Sequence, residues 1–237
     1  MNLIEVKNVT KSFDDLLVLD NISLNVQKGE SVVVVGPSGV GKSTLLRIIA
    51  GLDKPDSGTV KTATDKVSMV FQGSALLNSY TVGENIELAL NNHPFTKEEK
   101  EKKIIENLKL IGLEKYIDYF PDQLSGGQRK RVGFARAIAS NPEIILYDEP
   151  TTGLDPILST LIEDYINKLS REFNVASIIV THQLSTIKRT AQRVALLYKG
   201  KIVWEGTPKE FFDSGDPYVK QFVNAEINGP IFAGLLE

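Results

Sequence analysis

A glycine-rich segment at residues 36–43 has the residue types and spacing of a loop that binds phosphate. It reads GPSGVGKS, which matches the pattern G-x-x-x-x-G-K-[S/T], and it lies between an apolar segment, Ser31–Val35, and a predicted helix that begins at Lys42. Its glycines allow backbone N–H groups to converge on phosphate oxygens, and the start of the helix adds partial positive charge. We expect Lys42 to contact the β- and γ-phosphates of a nucleotide and the Ser43 hydroxyl to bind Mg²⁺.

Two adjacent acidic residues follow a second apolar segment. Asp148 and Glu149 come directly after Ile144–Tyr147, a predicted strand. Ligands of open α/β sheets bind at the carboxyl ends of the strands, so these carboxylates should lie at the ligand edge. Successive side chains alternate direction along a strand, which predicts different roles for the two acids. The alternative, a strand end capped by solvated acids, is disfavoured because the same chain carries a phosphate loop.

A third segment, LSGGQ at residues 124–128, offers a second place for an anion. Ser125 and the glycines Gly126 and Gly127 open a predicted helix, so a capping hydroxyl and free backbone N–H groups lie at a helix N-terminus. One chain therefore carries two half-sites for phosphate.

The composition indicates an ordinary globular protein and argues against several classes of function. The 237 residues are 42% hydrophobic and 24% charged, with a net charge of −3 and no cysteine. This charge does not favour nucleic acid as a partner, and the absence of cysteine excludes disulfides and thiolate metal sites. The apolar run before the loop is far shorter than the ~18 residues of a membrane span, and no signal peptide is recognisable at the N-terminus. We expect a cytosolic protein that meets a membrane only through a partner.

Predicted strands and helices alternate along most of the chain, which favours an α/β fold with a largely parallel sheet covered on both faces. We predict an antiparallel β region near the N-terminus and a helical insertion. The predicted strands are Leu3–Val9, Ile22–Val26, Ser31–Val35, Val67–Phe71, Ile144–Tyr147, Ala176–Val180 and Val194–Tyr198. A single domain is expected, with a nucleotide-binding core (1–72 and 142–215), a helical subdomain (73–141) and a C-terminal tail (216–237). The charged run 97–103 is interpreted as a solvated helix face.

The order of the three motifs resembles that of the ATP-binding subunits of ABC transporters, and the resemblance extends from the first strand nearly to the last residue. It implies a P-loop NTPase core and hydrolysis of ATP with Mg²⁺. By this resemblance Asp148 holds Mg²⁺ through its water, and Glu149 polarises the water that attacks the γ-phosphate. Gln72 corresponds to the glutamine that touches Mg²⁺ and the attacking water, and His182 to the histidine that contacts the γ-phosphate.

Phe13 occupies the place where the family usually has an aromatic residue stacked on adenine, although tyrosine is commoner there and a core phenylalanine is the alternative. His93 is interpreted as structural. The expected catalytic residues are Lys42, Gln72, Glu149 and His182, and the expected metal-binding residues are Ser43, Gln72 and Asp148. The expected nucleotide-binding residues are Phe13, Gly36, Pro37, Ser38, Gly39, Val40, Gly41, Lys42, Ser43, Thr44, Gln72, Ser125, Gly126, Gly127, Gln128 and Asp148.

The resemblance also implies a head-to-tail homodimer. In the family, the LSGGQ segment of one subunit covers the γ-phosphate held by the other, and residues 153–155 would line the interface. Two ATP molecules then lie in an isologous interface. A single isolated subunit should hydrolyse ATP poorly.

The C-terminal sequence resembles that of the Mla-type phospholipid-transport ATPases and their plastid relatives. The resemblance rests on DPYVKQF at 216–222 and GPI at 229–231. Gln128 and the segment 224–228 differ from the residues that are more common in these ATPases. Such ATPases work with a permease and a lipid-binding MCE-domain protein, which implies a peripheral position on the cytoplasmic face of an inner or plastid membrane. We expect the tail to pack across the dimer or on an accessory subunit.

Two other functions remain open at this point. The chain could power a small-solute importer, such as one for polar amino acids, because those ATPases share every catalytic motif. It could also be a non-transport ATP switch. In either transport reading, Leu76, Leu77 and Tyr80, which follow Gln72, are expected to form a groove for a helix of the permease.

Overall fold

A computed structural model describes residues 1–231, which form two sheets and eight α-helices. The antiparallel sheet has the order β2-β1-β4, and the six-stranded sheet has the order β5-β6-β7-β3-β8-β9. The strands are β1 Asn2–Phe13, β2 Leu16–Gln27, β3 Ser31–Val35, β4 Ser57–Thr62, β5 Val67–Val70, β6 Ile144–Asp148, β7 Ala176–Val180, β8 Arg193–Tyr198 and β9 Lys201–Gly206. The helices are α1 Lys42–Ile49, α2 Val82–Glu87, α3 Lys97–Leu110, α4 Gly126–Ile138, α5 Pro156–Phe173, α6 Leu184–Thr190, α7 Pro208–Phe212 and α8 Pro217–Asn224.

The larger sheet positions the site because its first five strands are parallel and end at one edge. Strands β3, β6 and β7 are buried along their whole length, which explains their nearly continuous apolar sequences. Alternate residues face two hydrophobic clusters, with Val33 and Tyr147 on one side and Val34 and Leu146 on the other. The phosphate loop and Asp148 therefore lie side by side at the carboxyl edge.

Local sequence signals fix several helix starts. The threonines before α2, α3 and α7 and the serine before α4 each form a reciprocal capping box with the third helical residue. Asp155 and Asp216 cap α5 and α8, and a proline follows each of them. Such caps typically stabilise a helix by about 1 kcal/mol.

The predicted fold class is confirmed: a P-loop α/β fold with an antiparallel N-terminal sheet, a mostly parallel sheet and helices α2–α4 between β5 and β6. Strands β1 and β2 extend further than predicted. Strands β4 and β9 were not predicted: β4 is a polar, largely exposed edge strand, and β9 is an edge strand with only three consecutive apolar residues, 202–204. Among residues 1–231, no helix is long and apolar enough to cross a membrane.

The C-terminal segment up to residue 231 packs on its own chain. Val219 of α8 is fully buried within the larger hydrophobic cluster, and Ile231 is also buried. The Gln221 amide clamps the chain: its Nε2 donates to the Ile231 carbonyl oxygen over 2.9 Å, and its Oε1 accepts from the Ile231 N–H over 2.6 Å. These buried side chains are occupied within their own chain, whereas most other side chains of residues 216–230 are exposed or half-buried, and the docking of the tail across a dimer or on an accessory subunit stays a prediction. Residues 232–237 of that prediction lie outside the described residues.

Candidate active site

The phosphate loop leaves β3 at Val35 and enters α1 at Lys42, and two of its glycines have no substitute. Gly36 has φ 148°, and a Cβ there would lie 2.2 Å from the carbonyl oxygen of Leu197. Gly41, which precedes α1, has φ 101°, and its Cβ would lie 2.8 Å from Cγ1 of Val18. A side chain at either position would collide with neighbouring groups. It would also belong to a residue whose positive φ is unfavourable for any amino acid other than glycine. The loop therefore holds its main chain close to β2 and β8.

Lys42 is folded back along this loop. Its Nζ donates to the carbonyl oxygens of Gly36 over 2.8 Å and Pro37 over 2.7 Å, and the residue is 8% exposed. Burial lowers the pKa of Lys42, while the negative charges of Glu149 and Asp148 act in the opposite direction. A cation thus lies at the base of the loop with carboxylates beside it.

Ser43 and Asp148 form the second part of the site. The Ser43 hydroxyl donates to Oδ1 of Asp148 over 2.9 Å, although Asp148 is only 7% exposed. Burial raises the pKa of Asp148, and the hydrogen bond from Ser43 opposes that shift. A hydroxyl and a carboxylate are oxygen ligands of the kind that Mg²⁺ prefers. Within residues 1–231, no cluster of three or more His, Asp or Glu side chains is placed to hold a metal ion.

Glu149 does not lie on the strand, so one premise of the sequence argument is wrong. Strand β6 ends at Asp148, and Glu149 adopts a left-handed conformation with φ 51°. Such a conformation costs a non-glycine residue about 1–3 kcal/mol and is typical of functional sites. The change in backbone direction, rather than strand alternation, separates the two carboxylates.

The Glu149 carboxylate is held by three neighbours and is 7% exposed. Its Oε1 lies 2.8 Å from Nδ1 of His182, which follows β7. Its Oε2 accepts hydrogen bonds from the hydroxyls of Thr152 over 2.8 Å and Thr181 over 3.4 Å. The predicted pair Glu149 and His182 is therefore brought into direct contact.

Glu149 borders an open cavity of about 310 Å³, whereas Asp148 and His182 are not among its lining residues. Nine of the expected site residues line it: Phe13, Ser38, Gly39, Gly41, Lys42, Ser43, Thr44, Gln72 and Glu149. Phe13 is 47% exposed and carries the Lys11 ammonium 5.2 Å from its ring centroid, so the alternative of a core phenylalanine is wrong. His93, by contrast, stacks on Phe95, which is compatible with its structural interpretation.

The LSGGQ segment does not line this cavity. Ser125 caps α4, and its hydroxyl accepts from the N–H of Gln128 while the Gln128 side chain accepts from the N–H of Ser125. The position of a Cβ on Gly127 lies 3.4 Å from Leu154, in the turn that follows Glu149. Within one chain, the LSGGQ segment is thus separate from the cavity at the phosphate loop.

Five residues around the site were missed by sequence reasoning, one of them Thr181, whose hydroxyl donates to Glu149. Val18 and Val180 line the cavity as apolar wall residues, and Thr152 and Lys130 form hydrogen bonds next to Glu149. Thr152 could have been predicted as a site residue because it lies only three positions after Glu149. A basic residue in the middle of a helix carries no such signal, and valines in strands are ordinary.

Comparison with known proteins agrees with this geometry. The profile of the ABC transporter family matches residues 19–152. The protein TRIGALACTOSYLDIACYLGLYCEROL 3, chloroplastic, of Arabidopsis thaliana is 39% identical, with 97% of this chain and 75% of that protein covered. The probable amino-acid import ATP-binding protein YxeO of Bacillus subtilis is 41% identical, with 89% and 92% covered.

A solved structure supports the same assignment at the level of the backbone. The dimeric structure of the ATP-binding cassette MJ0796 in a post-hydrolysis state, bound to ADP and Pi, has a TM-score of 0.81 at 36% identity, with 86% of this chain and 98% of that chain covered. The matched region includes a phosphate loop, an acidic strand end and the LSGGQ segment in this chain. The chain belongs to the ABC transporter family as an ATP-binding cassette, a protein that hydrolyses ATP.

Proposed function

We propose that this chain is the ATP-hydrolysing subunit of a transporter that moves phospholipids between membranes through a separate permease. The observation that carries the cargo assignment is the 39% identity to a chloroplast protein named after a galactolipid, over 97% of this chain. At this coverage the match includes most of the C-terminal region, with its DPYVKQF sequence. In this proposal the ATPase lies on the cytoplasmic face of an inner or plastid membrane, and an MCE-domain protein binds the lipid.

The roles proposed for the site residues follow from their contacts. Lys42 would exchange the carbonyls of Gly36 and Pro37 for phosphate oxygens, and Ser43 and Asp148 would hold Mg²⁺. When bound, Mg²⁺ supplies positive charge that neutralises the phosphate oxygens. Glu149 would accept the proton of the attacking water, with His182 fixing the orientation of its carboxylate.

The remaining cavity residues bind and sense the nucleotide in this proposal. Phe13 presents an exposed ring for the adenine, and Gln72 borders the cavity where β5 passes into the helical segment 73–141. We assign residues 1–72 and 142–215 to the nucleotide-binding core, and residues 73–141 to a subdomain that contacts the permease.

Catalysis is proposed to need two chains. Ser125, Gly126, Gly127 and Gln128 lie outside the cavity of their own chain, so their free helix N-terminus is available to a nucleotide held by another. A head-to-tail pair would place Ser125 of each chain opposite Lys42 of its partner. The dimeric state of the solved cassette supports this arrangement.

A second surface is proposed to receive a helix of the permease. A groove of about 500 Å³ lies beside Phe71, between α1, β5 and the end of α2. Leu52 and Leu77 line it and are about half exposed, whereas Leu76 packs against the hydrophobic core and Tyr80 lies outside the groove. Arg136 donates to the carbonyl oxygens of Ala75 and Ser74 and fixes the wall of the groove. Leu77 is therefore the proposed anchor, and Leu76 has a structural role.

The test is ATP-dependent lipid movement by the native complex. The ATPase is purified with its co-encoded membrane subunits, placed in vesicles with labelled phospholipid, and assayed for transfer to acceptor vesicles. We expect transfer with MgATP and none with Glu149→Gln. Transfer that is the same with and without ATP, or a purified complex that carries no phospholipid, would contradict the lipid assignment.

A small-solute importer is the second candidate, and one observation favours it. The amino-acid import relative is 41% identical, with 92% of its own length covered. In that case a solute-binding protein, rather than lipid, would stimulate ATP hydrolysis by the same complex.

A further inference from the structure

A lysine in α4 reaches across to the turn that follows the candidate catalytic carboxylate. Lys130 donates from Nζ to the carbonyl oxygen of Thr152. Thr152 lies three residues after Glu149, and its own hydroxyl donates to Oε2 of Glu149 over 2.8 Å. Thr152 thus accepts a hydrogen bond from α4 through its main-chain carbonyl and donates one to the Glu149 carboxylate through its hydroxyl.

The basic residues on either side of Lys130, Arg129 and Arg131, bond to a different part of the chain. Arg129 donates to the carbonyl oxygens of Leu124 and Pro121, and Arg131 donates to that of Ile111. Both of these contacts stay within the segment 73–141. The side chain between them, that of Lys130, instead contacts the turn next to β6. The three consecutive cations are therefore not equivalent.

The positive charge of Lys130 is favoured by the two carboxylates near it. The side chain is partly buried, and this burial lowers its pKa, while the negative charges of Glu149 and Asp148 favour its protonated form. A cation at this point attracts both the Thr152 carbonyl dipole and the carboxylates. A neutral donor would provide only the hydrogen bond.

We propose that Lys130 is a positioning residue, which holds the turn 149–155 through the Thr152 carbonyl and so keeps the Thr152 hydroxyl on the Glu149 carboxylate. Because α4 also carries Ser125 at its N-terminus, the same lysine connects the second anion site to Glu149 of its own chain. The position of α4 then influences how well Glu149 is oriented. This inference rests on the proposed role of Glu149.

The test compares Lys130→Met, which keeps the aliphatic stem, with Lys130→Arg, which restores a charged donor. Lys102→Met is the control, because Lys102 lies on the exposed face of α3 with 77% of its side chain accessible. We expect kcat for ATP to fall by about 10- to 100-fold in Lys130→Met, the size of effect of one charged hydrogen bond. The KM for ATP should change less than about threefold, since no ATP contact is removed, and Lys130→Arg should restore most of kcat.

Two further measurements separate positioning from general damage. In the nucleotide-free protein, amide hydrogen exchange of a peptide spanning residues 151–155 should be about tenfold faster in Lys130→Met than in wild type or Lys102→Met. Thr152→Val should lower kcat in the same way. The double variant Lys130→Met/Thr152→Val should be no slower than the slower single variant, because both break one chain of contacts.

Unchanged kcat in Lys130→Met would overturn the inference. So would a rise in KM without loss of kcat, or an equal loss in Lys130→Arg with unchanged exchange in the turn. A wrong assignment of Glu149 would give a different result, namely normal turnover of Glu149→Gln. The exchange measurement needs neither nucleotide nor turnover.

Discussion

The Ser43 hydroxyl and Oδ1 of Asp148 lie 2.9 Å apart, although the two residues are separated by 105 positions in the sequence. This contact joins the start of α1 to the end of β6, so the phosphate loop and the acidic strand end form one site. It also puts a hydroxyl and a buried carboxylate where a divalent cation and a phosphate are expected to meet.

Lys42→Ala is expected to weaken ATP binding by tenfold or more, because it removes the charged donor at the base of the loop. Titration with a fluorescent ATP analogue measures the Kd. Lys28→Ala, at an exposed lysine in the turn before β3, is the control and should bind as wild type. Equal affinities of all three proteins would show that Lys42 does not contact the phosphates.

Gly36→Ala is expected to destabilise the folded protein by more than about 2 kcal/mol, since the new Cβ would lie against the Leu197 carbonyl. Gly51→Ala is the matched control: its φ is also positive at 73°, but no atom lies within 4 Å of the new Cβ. Only the backbone conformation is then penalised, by about 1–2 kcal/mol. Urea unfolding of the two variants compares these costs, and a smaller loss for Gly36→Ala than for Gly51→Ala would contradict the packing argument.

Asp148→Asn is expected to make the nucleotide-free protein more stable and the MgATP complex weaker. Burial raises the pKa of Asp148 in the folded protein above that in the unfolded chain. As pH rises, the unfolded chain releases this proton first, so Asp148 lowers stability through that range and above it. An asparagine removes this cost and can still accept from Ser43.

Thermal unfolding at neutral pH, with and without MgATP, measures both effects of Asp148→Asn. The wild type should gain more in Tm from MgATP than the variant does. A variant that is less stable without nucleotide, or that gains as much from MgATP, would contradict the assignment of Asp148.

Gln221→Leu is expected to release the segment 226–231 from α8. The substitution keeps a similar side-chain volume but removes both hydrogen bonds to Ile231 and those to the carbonyls of Glu226 and Ile227. Limited proteolysis should then cut after residue 225 at least several-fold faster, while ATP binding stays unchanged. Unchanged cleavage would mean that Ile231 is held by its apolar contacts alone.

Much of this architecture follows from local sequence patterns. Strand β3 and the start of α1 were predicted to the residue, because an apolar run, a glycine-rich loop and a helix start define each other's limits. The edge strand β4 lacks such an apolar run because most of its side chains are exposed, and in β9 the run is only three half-buried residues long, 202–204.

The site was predictable in its residues and less so in its geometry. Motifs identified Lys42, Asp148 and Glu149, but the left-handed backbone of Glu149 depends on contacts with β7, including its N–H bond to the Val180 carbonyl. The contact of Lys130 with Thr152 likewise joins segments whose relative position is set only by the folded chain. Sequence motifs therefore predicted Glu149 and its neighbour His182, but not the further contacts of Thr152, Thr181 and Lys130 around Glu149.

The most direct test of the whole account is Glu149→Gln in the presence of MgATP. If Glu149 accepts the proton from water and two chains share each nucleotide, the variant should bind MgATP as wild type, lose steady-state turnover and accumulate as a dimer. ATPase assays combined with light scattering on a sizing column measure turnover and mass in one preparation. Turnover close to wild type, or a variant that stays monomeric at saturating MgATP, would contradict the account.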